Sequence, residues 1–425
     1  MTQGVSIAES HRIARAVVQM AQVGHFGGIV ELFGPPLAAV VSVKALKDAW
    51  AAETAKIGGI SFVGEPASDP TTAGLVRVSV PLTGERGTLT VVVSVDDKGV
   101  VQGLRLDPAA RGSWTTPPYA APTRFEEHDV ALGTGALVVQ GTLSMPRGPA
   151  TVPGVVLLSG GGPFDRDETA GSNKPLKDLA WGLASRDIAV ARFDKVSHTH
   201  ADYVARTPEF TMTDDYVPHA VAAVRLLQAA PRVDPDRVFV LGHSMGGKVA
   251  PRVAQAEPSV AGLVIMAGDT QPMHHAAVRV ARYLAALDPP FIDAAGVEMI
   301  TRQAARVESP DLSSSTAANE LPFGFSGAYW LDVRGYDPVA TAASLDKPML
   351  IVQGGRDYQV TVDGDLAGWR AGLAHRRDVT LRVYSADDHL FFPGSGPSAP
   401  ADYEAPQHVD PDVIEDIAAW IKSRV

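Results

Sequence analysis

Six short, almost unbroken apolar runs recur from residue 154 onward: GVVLLSG, IAVARFD, RVFVLG, AGLVIMAG, PMLIVQG and VTLRVYS. Amphipathic stretches with helical spacing lie between them, including KPLKDLAWGLASR, DYVPHAVAAVRLLQAA and DLAGWRAGLA. A strand apolar on both faces cannot border water, so helices have to cover both sides of its sheet. This alternation predicts an α/β fold, a doubly wound and mostly parallel sheet. Two earlier segments, RFEEHDVAL and LVVQGTLSM, predict an antiparallel lead-in. Residues 270–345 separate two of the strands by far more than a crossover needs. They are expected to form a mostly helical insertion, a lid, over the carboxyl edge of the sheet, where ligands bind in such folds.

Residues 1–115 follow a different pattern and are expected to form a separate small α+β domain before the 116–425 unit. Ile13, Val17, Val18 and Met20, then Ile29, Leu32 and Phe33, recur at helical spacing, and VSVKALKDAWAAETAK predicts a further helix. The period then changes to two, through Val76, Val78 and Val80 and through Leu89, Val91, Val93 and Val95. Asp96-Asp97-Lys98-Gly99 predicts a hairpin turn into VVQGLRL. The segments from Asp107 to Gly112 and from Trp114 to Pro118 predict a linker.

The stretch VFVLGHSMGGKVA, residues 238–250, fits two motifs at once. Gly242-His243-Ser244-Met245-Gly246 matches G-x-S-x-G, the strand-to-helix elbow that presents a serine nucleophile. Gly242 through Lys248 matches most of a phosphate-cradling loop, but the hydroxyl that should reach Mg²⁺ is replaced by Val249. A valine cannot ligand a metal, so the nucleotide reading fails on chemistry.

The serine reading makes further demands. A serine needs a histidine to take its proton, and the histidine needs a carboxylate to fix its tautomer. In the order Ser, acid, His, the acid should follow a late strand and the histidine the last one. Asp357 follows PMLIVQG and His389 follows VTLRVYS. Asp387 and Asp388 adjoin His389 too closely to face its ring, and Asp346 precedes its strand. His375 and His408 fall in or near predicted surface helices. The oxyanion needs backbone donors: Met245, directly after the serine, and Gly161 in LLSGGGPFDRDE, with Gly162 as the neighbouring alternative. Phe164, Tyr329, Trp330 and Tyr358 are candidates to line a substrate pocket, or equally core aromatics. Asp165, Arg166 and Asp167 are expected to brace the glycine loop through ion pairs. His198 and His200 have the spacing of metal ligands on a strand but no acidic partner in register, and His274-His275 read as a solvated helix start. No metal and no cofactor is expected.

The elements SGGGPFDRDE, ARFDK, GHSMGG, SGAYWLDVRGYDPVA, QGGRDYQVT and YSADDHLFF together resemble bacterial serine esterases of the α/β-hydrolase superfamily, in the dienelactone-hydrolase and acyl-peptidase-like branch. The resemblance runs over about residues 120–425. It implies Ser244 as nucleophile, Asp357 as acid, His389 as base, and an oxyanion hole of Met245 with the glycine loop. Where such esterases carry His-Gly before the oxyanion glycine, this chain has Ser159-Gly160, which leaves the backbone donors in place. The N-terminal segment resembles the small domain of unknown function, cystatin- or NTF2-like in outline, that often precedes such esterases.

The expected activity is hydrolysis of a small-molecule carboxylic ester through an acyl-enzyme. The alternative is the same triad running acyl transfer, lactonisation, cyclisation or elimination, which differs in pocket dryness rather than in catalytic residues. A third reading gives the N-terminal unit a binding or assembly role, as a homodimer contact or in shaping the pocket. The net charge of −11 argues against a nucleic-acid partner. The absence of cysteine fits a cytoplasmic protein, and neither a leader peptide nor a membrane-length apolar run is expected.

Overall fold

The computed structural model describes residues 6–70, 75–85, 87–108 and 114–424. The chain divides into two compact units, Met1–Arg111 and Gly112–Val425. Residues 109–113 of the linker read from the sequence, and the first five residues, lie outside the described residues.

The first unit carries helices α1 (Ile7–Gln22), α2 (Phe26–Val30), α3 (Pro35–Val40) and α4 (Val43–Ile57). Ser6 and Ser42 start α1 and α4 by accepting the N–H groups of Glu9 and Ala45, which helix geometry leaves without a carbonyl. The strands are β1 (Ile60–Val63), β2 (Ala67–Pro70), β3 (Val76–Gly84), β4 (Gly87–Val95) and β5 (Val101–Pro108). They run antiparallel in the order β1-β3-β4-β5, with β2 also on β3. Val78, Val80, Leu82, Leu89, Val91, Val93 and Val95 alternate onto one face and bury it with Ile13, Val17 and Val18 of α1. The expected turn forms: Asp96 accepts from the N–H groups of Lys98 and Val100, and Gly99 takes φ +81°. Two details depart from the sequence reading. Leu32 and Phe33 fall beyond α2, Phe33 bridging to Val101, and residues 60–70 supply two strands whose short runs carry little periodicity.

The second unit is the expected α/β sandwich. Strands β6 (Phe125–Leu132), β7 (Val139–Pro146), β8 (Val152–Leu158), β9 (Ala189–Phe193), β10 (Val233–His243), β11 (Leu263–Met266), β12 (Met349–Gly354) and β13 (Val379–Tyr384) form one sheet. Its order is β13-β12-β11-β10-β8-β9-β7-β6, parallel from β9 to β13 with β7 and β6 antiparallel at one edge. Every residue of β8, β11 and β12 is buried, as two-sided coverage requires. The helices are α5 (Pro175–Ala184), α6 (Val196–Thr199), α7 (Ala201–Ala205), α8 (Met212–Ala229), α9 (Met245–Ala256), α10 (Met273–Ala285), α11 (Ala294–Glu308), α12 (Gly327–Gly335), α13 (Pro338–Ser344), α14 (Ala367–Gly372) and α15 (Pro411–Lys422). One core cluster joins the sheet to α8, α9 and α12, and another joins it to α5 and α15. Helices α10 to α13 fill the interval between β11 and β12. Among the described residues, no helix is long and apolar enough to cross a membrane.

Candidate active site

Ser244 sits between the end of β10 and the start of α9 at φ 52° and ψ −120°, a conformation that L-residues adopt only under constraint. Its N–H is held by the carbonyl of Met266 at 2.8 Å. The flanking glycines are required sterically: a Cβ on Gly242 would lie 2.1 Å from the Gly246 carbonyl oxygen, and one on Gly246 would lie 2.5 Å from that of Leu158. Two strands of backbone cross here at a distance only glycine permits.

The three side chains singled out in the sequence converge. Ser244 Oγ lies 3.1 Å from His389 Nε2, and His389 Nδ1 lies 2.7 Å from Asp357 Oδ2. Asp357 is buried and receives three more donors: Gln353 Nε2 at 3.0 Å on the same oxygen, and the N–H groups of Gln359 and Val360 at 2.7 and 2.9 Å on the other. With Nδ1 facing a carboxylate, Nε2 is the nitrogen left to accept the serine proton. Lys248, which a phosphate loop would aim at an anion, is buried and paired with Asp269 at 2.6 Å.

The loop after β8 lies against Ser244; a Cβ on Gly160 would come 3.3 Å from Ser244 Cβ, and one on Gly161 would come 3.2 Å from Met245 Cε. Met245 N–H opens α9, where no intrahelical carbonyl can reach it. Among the described residues the N–H groups of Gly161 and Gly162 also bond to no carbonyl or side chain. Gly162 has φ +119° and turns the loop toward Phe164. Asp165, Arg166 and Asp167 brace the segment: Arg166 binds Asp194 through two nitrogens at 3.0 and 2.9 Å, Asp167 pairs with Arg192 and Lys174, and Asp165 holds Thr169.

Several contributors were invisible to sequence reasoning. His243, in the variable position of the elbow, is buried between Glu168 Oε1 at 2.9 Å from Nδ1 and the carbonyl of His389 at 2.8 Å from Nε2. Burial alone would push His243 down; the adjacent Glu168 charge and hydrogen bond, with the His389 carbonyl, outweigh it and hold the imidazole above its ordinary range. Glu168 also takes the N–H of Gly160 at 2.7 Å, so this pair ties the glycine loop to the histidine loop.

The aromatic candidates separate. Phe164 is partly exposed beside Gly162. Tyr329 is buried with its hydroxyl 3.2 Å from Met245 Sδ. Trp330 has no exposed surface and gives its indole N–H to the Pro322 carbonyl, so it is core rather than pocket wall. Tyr358 stacks on Tyr283 of α10, with ring centroids 4.8 Å apart. Burial, then the charge of Asp357, pushes its hydroxyl up to about 12. His198 lies in α6 and His200 in the turn between α6 and α7, neither on a strand, and each faces a backbone carbonyl, those of Pro163 and Val138. On the insertion, His274, His275 and Glu308 bring their ligand atoms within 4.8 Å of one another. His274 is buried rather than solvated.

The two acids before His389 serve the loop itself. Asp388 Oδ1 accepts the N–H groups of Leu390 and Phe392, and burial pushes its carboxyl up to about 6. Asp387 has no exposed surface, and burial, followed by the neighbouring Asp410 charge, pushes it up to about 7. An acid raised in the folded chain above its ordinary 3.8 favours folding fully only below that value, and the advantage is lost as pH rises through about 7. Asp387→Asn is therefore expected to raise stability at pH 8 by roughly 1–3 kcal/mol, with the gain fading toward pH 4. Melting curves across that range check this; an equal shift at both ends would contradict it.

Residues 170–392, just over half of the chain, match the family model described as serine aminopeptidase, S33. The chain is 34% identical over 337 residues to Esterase EstD of Thermotoga maritima, covering 79% of this chain and 77% of that protein. Among solved structures it is similar to an esterase of Pyrococcus furiosus (18% identity, TM-score 0.47, 75% of this chain and 97% of that one). It is also similar to dienelactone hydrolase from Anabaena variabilis (15% identity, TM-score 0.41, 71% and 99%).

Proposed function

The chain belongs to the serine aminopeptidase S33 family of α/β-hydrolases and is a carboxylesterase-like serine hydrolase, and from that premise we propose that it cleaves a small-molecule carboxylic ester through an acyl-enzyme on Ser244. One observation carries the reading: the unbroken line Ser244 Oγ, His389 Nε2, His389 Nδ1, Asp357 Oδ2, with spacings of 3.1 and 2.7 Å at its hydrogen bonds, set at a strained elbow.

Ser244 attacks the ester carbonyl while His389 Nε2 takes its proton, and Asp357 steadies the imidazolium through Nδ1. The carbonyl oxygen becomes an oxyanion, received by the N–H groups of Met245 and Gly161. His389 then gives the proton to the leaving alkoxide, and the C–O bond to the alcohol breaks. Water enters, His389 takes one of its protons, hydroxide adds to the acyl carbon, and collapse returns the proton to Ser244 Oγ and releases the carboxylic acid. The esterase named among the relatives supports hydrolysis over transfer.

A fluorophosphonate probe tests the assignment. Labelling of one serine, slowed while a short p-nitrophenyl ester is present in excess, is expected. Turnover that continues after complete labelling would contradict it.

For the N-terminal unit we propose a homodimer contact, supported by its antiparallel sheet with one helix-covered face. Light scattering on the full chain should give twice the chain mass; a monomer at all concentrations would reject this.

A further inference from the structure

The trans peptide between Gly160 and Gly161 has its carbonyl and its N–H pointing in opposite directions. The carbonyl end is heavily held. Tyr216 of α8 donates its hydroxyl to the Gly160 oxygen at 2.6 Å, and Lys195 Nζ lies 3.3 Å from the same oxygen. Lys195 also donates to the Tyr216 hydroxyl at 2.8 Å and pairs with Asp215 at 2.9 Å. The preceding peptide is pinned from the other side, Gly160 N–H to Glu168. The loop therefore has little freedom to rotate this peptide, and the Gly161 N–H must face away from Tyr216.

The Lys195–Asp215 pair is almost fully buried, each side chain 2% exposed. Taking two charges out of water costs several kcal/mol per ion, and an apolar pair of the same volume is often no less stable. Its location supplies a reason for it. From Lys195 through Tyr216 to the Gly160 oxygen, each donor polarises the next, and polarising an amide at its oxygen strengthens the donor at its nitrogen. Burial holds the Tyr216 hydroxyl well above the ordinary phenol range, so it stays a donor.

We infer that Tyr216 and Lys195 are positioning residues for the oxyanion hole: they fix and polarise the 160–161 peptide so that Gly161 N–H meets the developing negative charge. This rests on the reading of Ser244 as the acylated serine. The relay is made in the resting enzyme, but its effect falls on the transition state, since the carbonyl oxygen gains negative charge only as the tetrahedral intermediate forms.

The test is Tyr216→Phe, which removes one oxygen and keeps the ring. The kcat on a p-nitrophenyl ester is expected to fall roughly 10- to 100-fold with KM changed less than about threefold. The Ki of a trifluoromethyl ketone, which forms an oxyanion on the serine, should rise by the same factor. A variant that merely loosens the fold would not move these two quantities together. Lys195→Met with Asp215→Asn, which removes both charges, gives a second reading of the same pair of quantities and replaces the first variant if Tyr216→Phe does not fold. Retention of kcat within about twofold in the variant, or loss of kcat with an unchanged ketone Ki, overturns the inference. Activity that persists in Ser244→Ala instead overturns the acyl-enzyme reading, a separate and distinguishable result.

Discussion

Ser244→Ala should lower kcat on a p-nitrophenyl ester by roughly 10⁴–10⁶-fold with little change in KM or in the melting temperature. In the proposed mechanism the missing oxygen is the nucleophile, and the remaining site would still bind ester and still present the Met245 and Gly161 N–H groups. His389→Ala should lose a similar factor, and the double replacement hardly more than either alone, because a base without a nucleophile has nothing to deprotonate. Asp357→Asn should leave the fold intact yet cost roughly 10⁴-fold, since an amide nitrogen facing His389 Nδ1 would favour the wrong tautomer. Steady-state rates on the four variants check the pattern; independent, multiplying losses would contradict it.

The second large effect concerns the elbow's glycines. Gly242→Ala would put a methyl group 2.1 Å from the Gly246 carbonyl oxygen, a backbone atom that cannot swing aside. Gly246→Ala would press on two carbonyls at once, those of Leu158 and Ser159, at 2.5 and 2.6 Å. Relief requires β10, α9 and β8 to part at the centre of the sheet, where β8 is buried along its whole length. The expected cost is roughly 3–5 kcal/mol for either change, a fall of roughly 5–8 °C in Tm, with more than about a hundredfold loss of rate in whatever folds. Thermal melts and rates on both variants measure it. A Tm within about 2 °C of the parent would mean that the elbow tolerates a side chain and is not as tight as described.

What could be read from the amino acids follows a physical division. The buried parallel strands were legible because two-sided burial leaves almost no polar residue in β8, β11 and β12. Ser244, Asp357 and His389 were legible because each follows the carboxyl end of a parallel strand in the order Ser, acid, His, although β13, at the sheet edge, is only partly covered and not buried on both faces as its apolar run suggested. Glu168, His243, Tyr216 and Lys195 were not legible. Their partners are backbone atoms or side chains distant along the chain, such as Gly160 for Tyr216 and the His389 carbonyl for His243, and no spacing rule encodes such contacts. Trp330 shows the same limit: an aromatic in an insertion has one composition whether it lines a pocket or fills a core, and here it fills the core. In the first unit, β1 and β2 escaped because four-residue edge strands carry too few alternations to be distinguished from loop.

Hydrolysis by this route requires a covalent bond at Ser244 Oγ during turnover. Rapid acid quenching of the enzyme with excess p-nitrophenyl acetate, followed by peptide mapping by mass spectrometry, observes that bond directly. The predicted result is one acetyl group on the peptide carrying Ser244, absent from Ser244→Ala and accumulating in a burst in His389→Ala only if an external base is supplied. Steady turnover with no acyl adduct, or an adduct on a different residue that forms and decays at the turnover rate, would contradict it.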